Sequence, residues 1–227
     1  MKKVLVFLLP VLLYNVGNSQ TLKYVNFSGG SEIVSLSYMT DQKVIIKISP
    51  DGKIIEWGED MEPGRYYSQP GKLRSYMGRV EKYGPQYDSV FSGKVKSIGI
   101  TSITYYGSFE NSAWVGKVKS IGTLIFDYYN DFENESQRGK IKAIGSRSIS
   151  YYNSFENDAY RGKIKSIGGI QLTYYSTFED IAVRGKIKSI GSFNYVWYTS
   201  YESGQYRGGL KSGSLQQMIE GVTYVLW

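Results

Sequence analysis

GKVKSIGITSITYYGSFENSAWV runs from Gly93 to Val115, and at Gly116 the pattern starts over. Gly93, Gly116, Gly139, Gly162, Gly185 and Gly208 recur every 23 residues without an insertion. A fixed period of this length marks an array of one small supersecondary unit. The first five copies read GKVKSIG, GKVKSIG, GKIKAIG, GKIKSIG and GKIKSIG, and a sixth is degenerate, GGLKSGS. A second motif follows each: ITYYGSFE, FDYYNDFE, ISYYNSFE, LTYYSTFE and YVWYTSYE. Irregular copies at Gly52 and Gly78 bring the array to about eight units, with atypical ends as terminal repeats require. The units are rich in Tyr, Ile, Val, Phe and Ser, and no proline follows Gly93. That composition favours strand, and the apolar positions do not recur at helical spacing. A strand of about six residues, a turn at Gly99, a strand of about eight and a longer turn over Asn111–Gly116 fill the period.

The expected fold is therefore all-β: an antiparallel meander of about eight β-hairpin repeats in an open, twisted single-layer sheet with capping flanks. The segments are 1–19 as a signal peptide, 20–51 as N-terminal capping strands, and 52–92 as irregular repeats with an insertion at Met61–Gly71. The regular repeats occupy 93–213 and a C-terminal cap 214–227. Within the flanks, Glu32–Met39 and Lys43–Ser49 read as strands and Ser49–Lys53 (SPDGK) as a turn. Ser214 is placed to cap a short helix over Leu215–Ile219, before a last strand at Val222–Trp227.

Period-two alternation assigns faces. Ile103, Tyr105 and Phe109 share one face, an apolar row continued by Phe126, Tyr128, Phe132 and by Ile149, Tyr151, Phe155. Tyr106, Tyr129, Tyr152, Tyr175 and Tyr198 fall on the more polar face. They either stack on an extended ligand or shield their own sheet. Lys94 and Lys96, with their equivalents Lys117 and Lys119, Lys140 and Lys142, Lys163 and Lys165, Lys186 and Lys188, read as two rows on one strand face. They form either a solvated lattice with Glu110, Glu133, Glu156 and Glu179 or a basic stripe for polyanions. The candidate ligand-binding residues are thus the five tyrosines with Lys119, Lys142, Lys165 and Lys188.

Tyr105, Gly107, Phe109, Asn111 and Gly116, within YYGSFENSAWVGKV, resemble the MORN repeat, whose unit also spans 23 residues. Later copies replace the first Gly by Asn130, Asn153, Ser176 and Thr199. The resemblance implies a twisted array of hairpins used for scaffolding or lipid contact, without catalysis. The paired tyrosines are also similar to hairpin repeats of bacterial wall-binding proteins.

Composition narrows the chemistry. The 227 residues include no Cys and no His. Disulfides, thiolate nucleophiles, the Ser-His-Asp triad and the usual zinc ligands are excluded. Lys2 and Lys3, the apolar run Val4–Leu13, and Gly17 and Ser19 read as a secretory signal cleaved before Gln20. Net charge is +7, and its excess lies in the repeats. Glu59, Asp60 and Glu62 form an acidic cluster that a glycosidase or a calcium site could use. The expectation is an exported, non-enzymatic structural or binding module of the cell envelope, periplasmic or extracellular. No cofactor, metal or nucleic acid is expected. An acidic polysaccharide, lipid head groups or another envelope protein are the candidate partners. An outer-membrane β-barrel and a carbohydrate-active enzyme are the alternatives.

Overall fold

A computed structural model describes residues 21–61 and 71–226. The signal segment 1–19 and most of the Met61–Gly71 insertion, with Glu62, lie outside the described residues. The flanks build one sheet. Its N-terminal strands are β1 (Thr21–Ser28), β2 (Glu32–Met39), β3 (Val44–Ile48), β4 (Ile54–Asp60) and β5 (Leu73–Ser75). The repeats follow with β6 (Val80–Lys82), β7 (Val95–Ile98), β8 (Thr101–Tyr105), β9 (Val118–Ile121), β10 (Leu124–Tyr128), β11 (Ile141–Ile144) and β12 (Arg147–Tyr151). They continue with β13 (Ile164–Ile167), β14 (Ile170–Tyr174), β15 (Ile187–Ile190), β16 (Phe193–Asn194), β17 (Val196–Trp197) and β18 (Leu210–Ser212). The chain ends in β19 (Gln216–Ile219) and β20 (Val222–Leu226).

β6 to β16 pair in chain order as an 11-stranded antiparallel meander, and β17–β18 add a further ladder. Each repeat is one hairpin. Ile98 pairs with Thr101 across Gly99 and Ile100, with Gly99 at φ 57°. A two-residue hairpin loop with a positive φ at its first central position requires glycine there. Gly122, Gly145, Gly168 and Gly191 repeat this at φ 55–58°. The strands are shorter than the sequence suggests, four and five residues rather than about six and eight.

The flank strands do not simply cap edges. They form a seven-stranded sheet, β19-β20-β1-β2-β3-β4-β5, in which the C-terminal hairpin joins the N-terminal strands through a parallel pair between β20 and β1. This sheet lies over the apolar face of the repeats as the second layer of a sandwich. Leu36, Tyr38, Ile46 and Ile48 share one core with Ile103, Phe126, Ile149 and Leu172. Tyr38 meets Phe126 edge-on, ring centroids 5.7 Å apart. An apolar row along one repeat face must leave water, and the consecutive apolar residues of β3 supply the cover. Both sheets are open, so the architecture is not a closed barrel. The helix expected at 215–219 is also strand. Ile219 pairs with Val222 through Glu220 and Gly221, both at positive φ, a hairpin that leads back into the flank sheet.

The two layers meet by a repeated device. In each hairpin pair the ladder slips by one residue: Thr104 faces Ser120, but Tyr105 faces Val118. The same slip recurs beside Tyr128, Tyr151 and Tyr174. Such a bulge leaves a backbone group without a ladder partner. The spare N–H groups of Val118, Ile141 and Ile187 donate to Gly52 O (3.0 Å), Pro50 O (2.9 Å) and Gly30 O (2.8 Å), all in flank-sheet turns. The turn that holds Pro50 and Gly52 serves two neighbouring bulges, and the turn that holds Gly30 serves the bulge at Ile187. At the other end of the flank strands Gln42 Oε1 accepts from Ile100 N, 3.0 Å away.

Candidate functional site

The five polar-face tyrosines do form one row, but its polar atoms are engaged within the fold. Tyr106 donates to Phe126 O (2.8 Å), Tyr129 to Ile149 O (3.2 Å), Tyr152 to Leu172 O (2.9 Å) and Tyr175 to Tyr195 O (2.9 Å). These four hydroxyls each latch one repeat to the next. Burial raises the pKa of all four phenols above the ordinary value. Over the rings stand the bulge lysines. Lys119, Lys142, Lys165, Lys188 and Lys211 lie 5.1–5.4 Å from the centroids of Tyr106, Tyr129, Tyr152, Tyr175 and Tyr198. The same ammonium groups pair with Glu110 (3.1 Å), Glu133 (3.1 Å), Glu156 (3.4 Å), Glu179 (3.6 Å) and Glu202 (3.0 Å). The nine candidate residues therefore come together, as ladders of Glu, Lys and Tyr. Tyr152→Phe is expected to lower stability by about 1 kcal/mol in urea unfolding, the net worth of one hydrogen bond.

The lysines do not form two rows on one face. The bulge inserts Lys119 and its equivalents as extra residues, so the alternation changes phase between the two lysines of each unit. Lys117, Lys140, Lys163 and Lys186 turn to the flank-sheet side instead. Their ammonium groups lie 5.4, 5.1, 5.5 and 4.6 Å from the centroids of Tyr128, Tyr151, Tyr174 and Trp197. Lys140 donates to Gly162 O at 2.5 Å and Lys163 to Gly185 O at 3.0 Å.

A second correction concerns Phe109, Phe132 and Phe155. They are not in the apolar row. With Phe178 and Tyr201 they are the most exposed rings of the repeats, at 91–103%. The strand stops before them because a local turn takes over. Phe132 N and Phe155 N donate to the side chains of Asn130 and Asn153, both at 2.9 Å, and Phe178 N to Ser176 Oγ at 3.2 Å. These are Asx and Ser turns, two residues long, and N-D-F, N-S-F and S-T-F were their sequence signal. The loops are also tied to one another. Asp88, Asn134, Asn157 and Asp180 each accept from the N–H of Ser108, Ser154, Thr177 or Ser200 in the next loop, at 2.8–3.0 Å. Arginines brace the tips: Arg184 donates to Glu179 O (2.9 Å) and Arg207 to Ser200 O (3.1 Å). One long edge of the sandwich thus presents a fixed file of bare rings, about 10 Å apart.

The acidic cluster is dispersed into ion pairs. Glu59 pairs with Arg74, and Asp60 with Lys23 and the hydroxyl of Tyr24. Among the described residues no group of three or more acidic side chains could hold a metal ion. The chain matches no protein-family model, no curated protein and no solved structure.

Proposed function

We propose that this protein is an exported, non-enzymatic β-repeat module of the cell envelope that lies on a lipid surface along its loop edge. The observation that carries this is the file of Phe109, Phe132, Phe155, Phe178 and Tyr201, fully exposed yet held in register by loop-to-loop hydrogen bonds. Fully burying one such ring is worth about 1.5–3 kcal/mol, so even shallow insertion of several gives useful affinity. The glutamates beside the rings are paired with lysines, and exposed Arg138, Arg161, Arg184 and Arg207 stand in the same loops. The edge therefore combines apolar rings with guanidinium groups, which suit phosphate even though Arg161 pairs with Asp158 and Arg184 and Arg207 each also hold a loop carbonyl. The resemblance to MORN repeats and the signal-like segment 1–19 support the same placement. An extended acidic glycan along the tyrosine face is less well supported, because hydroxyls and ammonium groups there already have partners.

Co-sedimentation with vesicles tests this reading. The mature protein is expected to bind phosphatidylglycerol-containing vesicles and to bind phosphatidylcholine more weakly. Replacing Phe109, Phe132, Phe155 and Phe178 by Ser should abolish binding and leave Tm within a few degrees, as for surface changes. Unchanged binding in that variant would refute the loop edge as the contact.

A further inference from the structure

Each repeat carries the same crown on its flank-sheet side. It consists of the Gly-Lys-Val/Ile start of the first strand, the buried aromatic ring beside the bulge, and the lysine of the neighbouring unit. Four of the five crowns are filled by the chain itself. Those at Val118, Ile141 and Ile187 receive turn carbonyls of the flank sheet. At the crown of Ile164 a carboxylate meets the lysine instead of the N–H: Glu32 stands 2.7 Å from Lys163, in a small cleft of about 170 Å³ that also reaches Gly162 and Ile164, and among the described residues no flank-sheet turn carbonyl caps the Ile164 N–H. Each of these four crowns thus meets an oxygen of the flank sheet, and at Ile164 that oxygen belongs to an acid.

The crown at Val95 is open. By the same ladder slip, between Glu81 and Lys82, Val95 holds the position of Val118. Among the described residues no flank-sheet turn carbonyl caps its N–H. A cleft of about 440 Å³ lies there instead, lined by Lys53, Lys82, Lys94, Lys117, Trp57 and Tyr105. That volume is within the range of small-molecule sites. Asp51 is 2.9 Å from Lys53 and also acts on Lys117, while Lys94 and Lys117 donate to Gly116 O and Gly139 O. Burial lowers the pKa of Lys94 and Lys117, and the charge of Lys53 lowers both further, while Asp51 pushes Lys117 the other way. Positive charge is therefore crowded at this cleft. Ile54, Val95 and Val115 complete an apolar wall around the half-buried indole of Trp57.

We propose that the Val95 crown binds the carboxylate or phosphate of an acidic sugar, with the oxyanion on the Val95 N–H and the lysines and the sugar ring against Trp57 and Tyr105. Oxyanions on ammonium and backbone N–H groups make charge-assisted hydrogen bonds, and ring faces pack on aromatic walls. This site lies apart from the loop edge, and it stands or falls independently of lipid contact.

Two-dimensional ¹H–¹⁵N spectra of the mature protein, titrated with four probes, test the assignment. Glucuronate or glucose 1-phosphate should shift the Val95 amide in a saturable way, and the stronger of the two identifies carboxylate or phosphate as the preferred group. The amides of Val118, Ile141 and Ile187, already bonded, should stay in place. Glucose should have no effect, and inorganic phosphate should bind more weakly than the better acidic sugar. Lys53→Gln with Lys82→Gln, both at exposed positions, should weaken binding by about tenfold, as loss of charged hydrogen bonds does, whereas Lys165→Gln should not. An unmoved Val95 amide with both acidic sugars would overturn the site. An equal response to glucose would remove the role of the anion, and inorganic phosphate binding as tightly as the better acidic sugar would remove that of the ring.

Discussion

Gly52→Ala is expected to destabilise the protein by about 3 kcal/mol or more, while Gly29→Ala costs only about 1 kcal/mol. Both glycines have a positive φ, 82° and 58°, so both alanines carry backbone strain. They differ in what a methyl group would meet. At Gly29 the space is open, whereas at Gly52 the new carbon would lie 2.2 Å from the hydroxyl of Tyr128. Tyr128 cannot yield readily, because it is buried and donates to Val118 O at 2.6 Å. Moving the turn instead would break the bond from Val118 N to Gly52 O. Urea unfolding of the two variants checks the difference, and similar losses would mean that the turn does not seat on the crown.

Phe126→Ala should cost about 3–5 kcal/mol, the usual price of emptying a buried aromatic site. Phe132→Ala, six residues on in the same repeat, should stay within about 0.5 kcal/mol of the parent. Phe126 is fully buried against Tyr38 of the flank sheet, and Phe132 is 95% exposed. The measurement is the urea midpoint of each variant at constant m-value. Equal losses would place both rings in one core and remove the loop edge as a free surface.

These two phenylalanines also mark what was legible in the sequence. Strand composition, the 23-residue period and the glycine turns sufficed for an open hairpin meander, because each signal is local. Alternation carried correctly from Phe126 to Tyr128 and failed at Phe132, where the Asn130 side chain turns the backbone within two residues. The bulge at each Tyr was hidden for a different reason. One extra residue changes the phase of a strand without changing its composition, so Lys117 and Lys119 looked like neighbours on one face. The flank sheet was legible only as strands. Whether a strand caps an edge or covers a face depends on long-range pairing, such as β20 beside β1, which no local pattern encodes. The run VIIKI in β3 was the available hint, since a strand apolar on both faces asks for cover on both sides. Of the candidate site, the tyrosine and lysine rows were found, but their engagement with Glu and with neighbouring carbonyls needed three dimensions. The open crown at Val95 became visible only by comparing it with the four that the chain fills.

Amide hydrogen exchange at Val95, Val118, Ile141 and Ile187 tests most directly the claim that the flank sheet holds the repeats by their crowns. The four N–H groups occupy equivalent places in the ladder, and only the last three donate to a flank turn. The account predicts that Val118, Ile141 and Ile187 exchange only through global unfolding, as core amides do, and that Val95 exchanges orders of magnitude faster. Equal protection at all four positions, or fast exchange at Val118, Ile141 and Ile187, would contradict it.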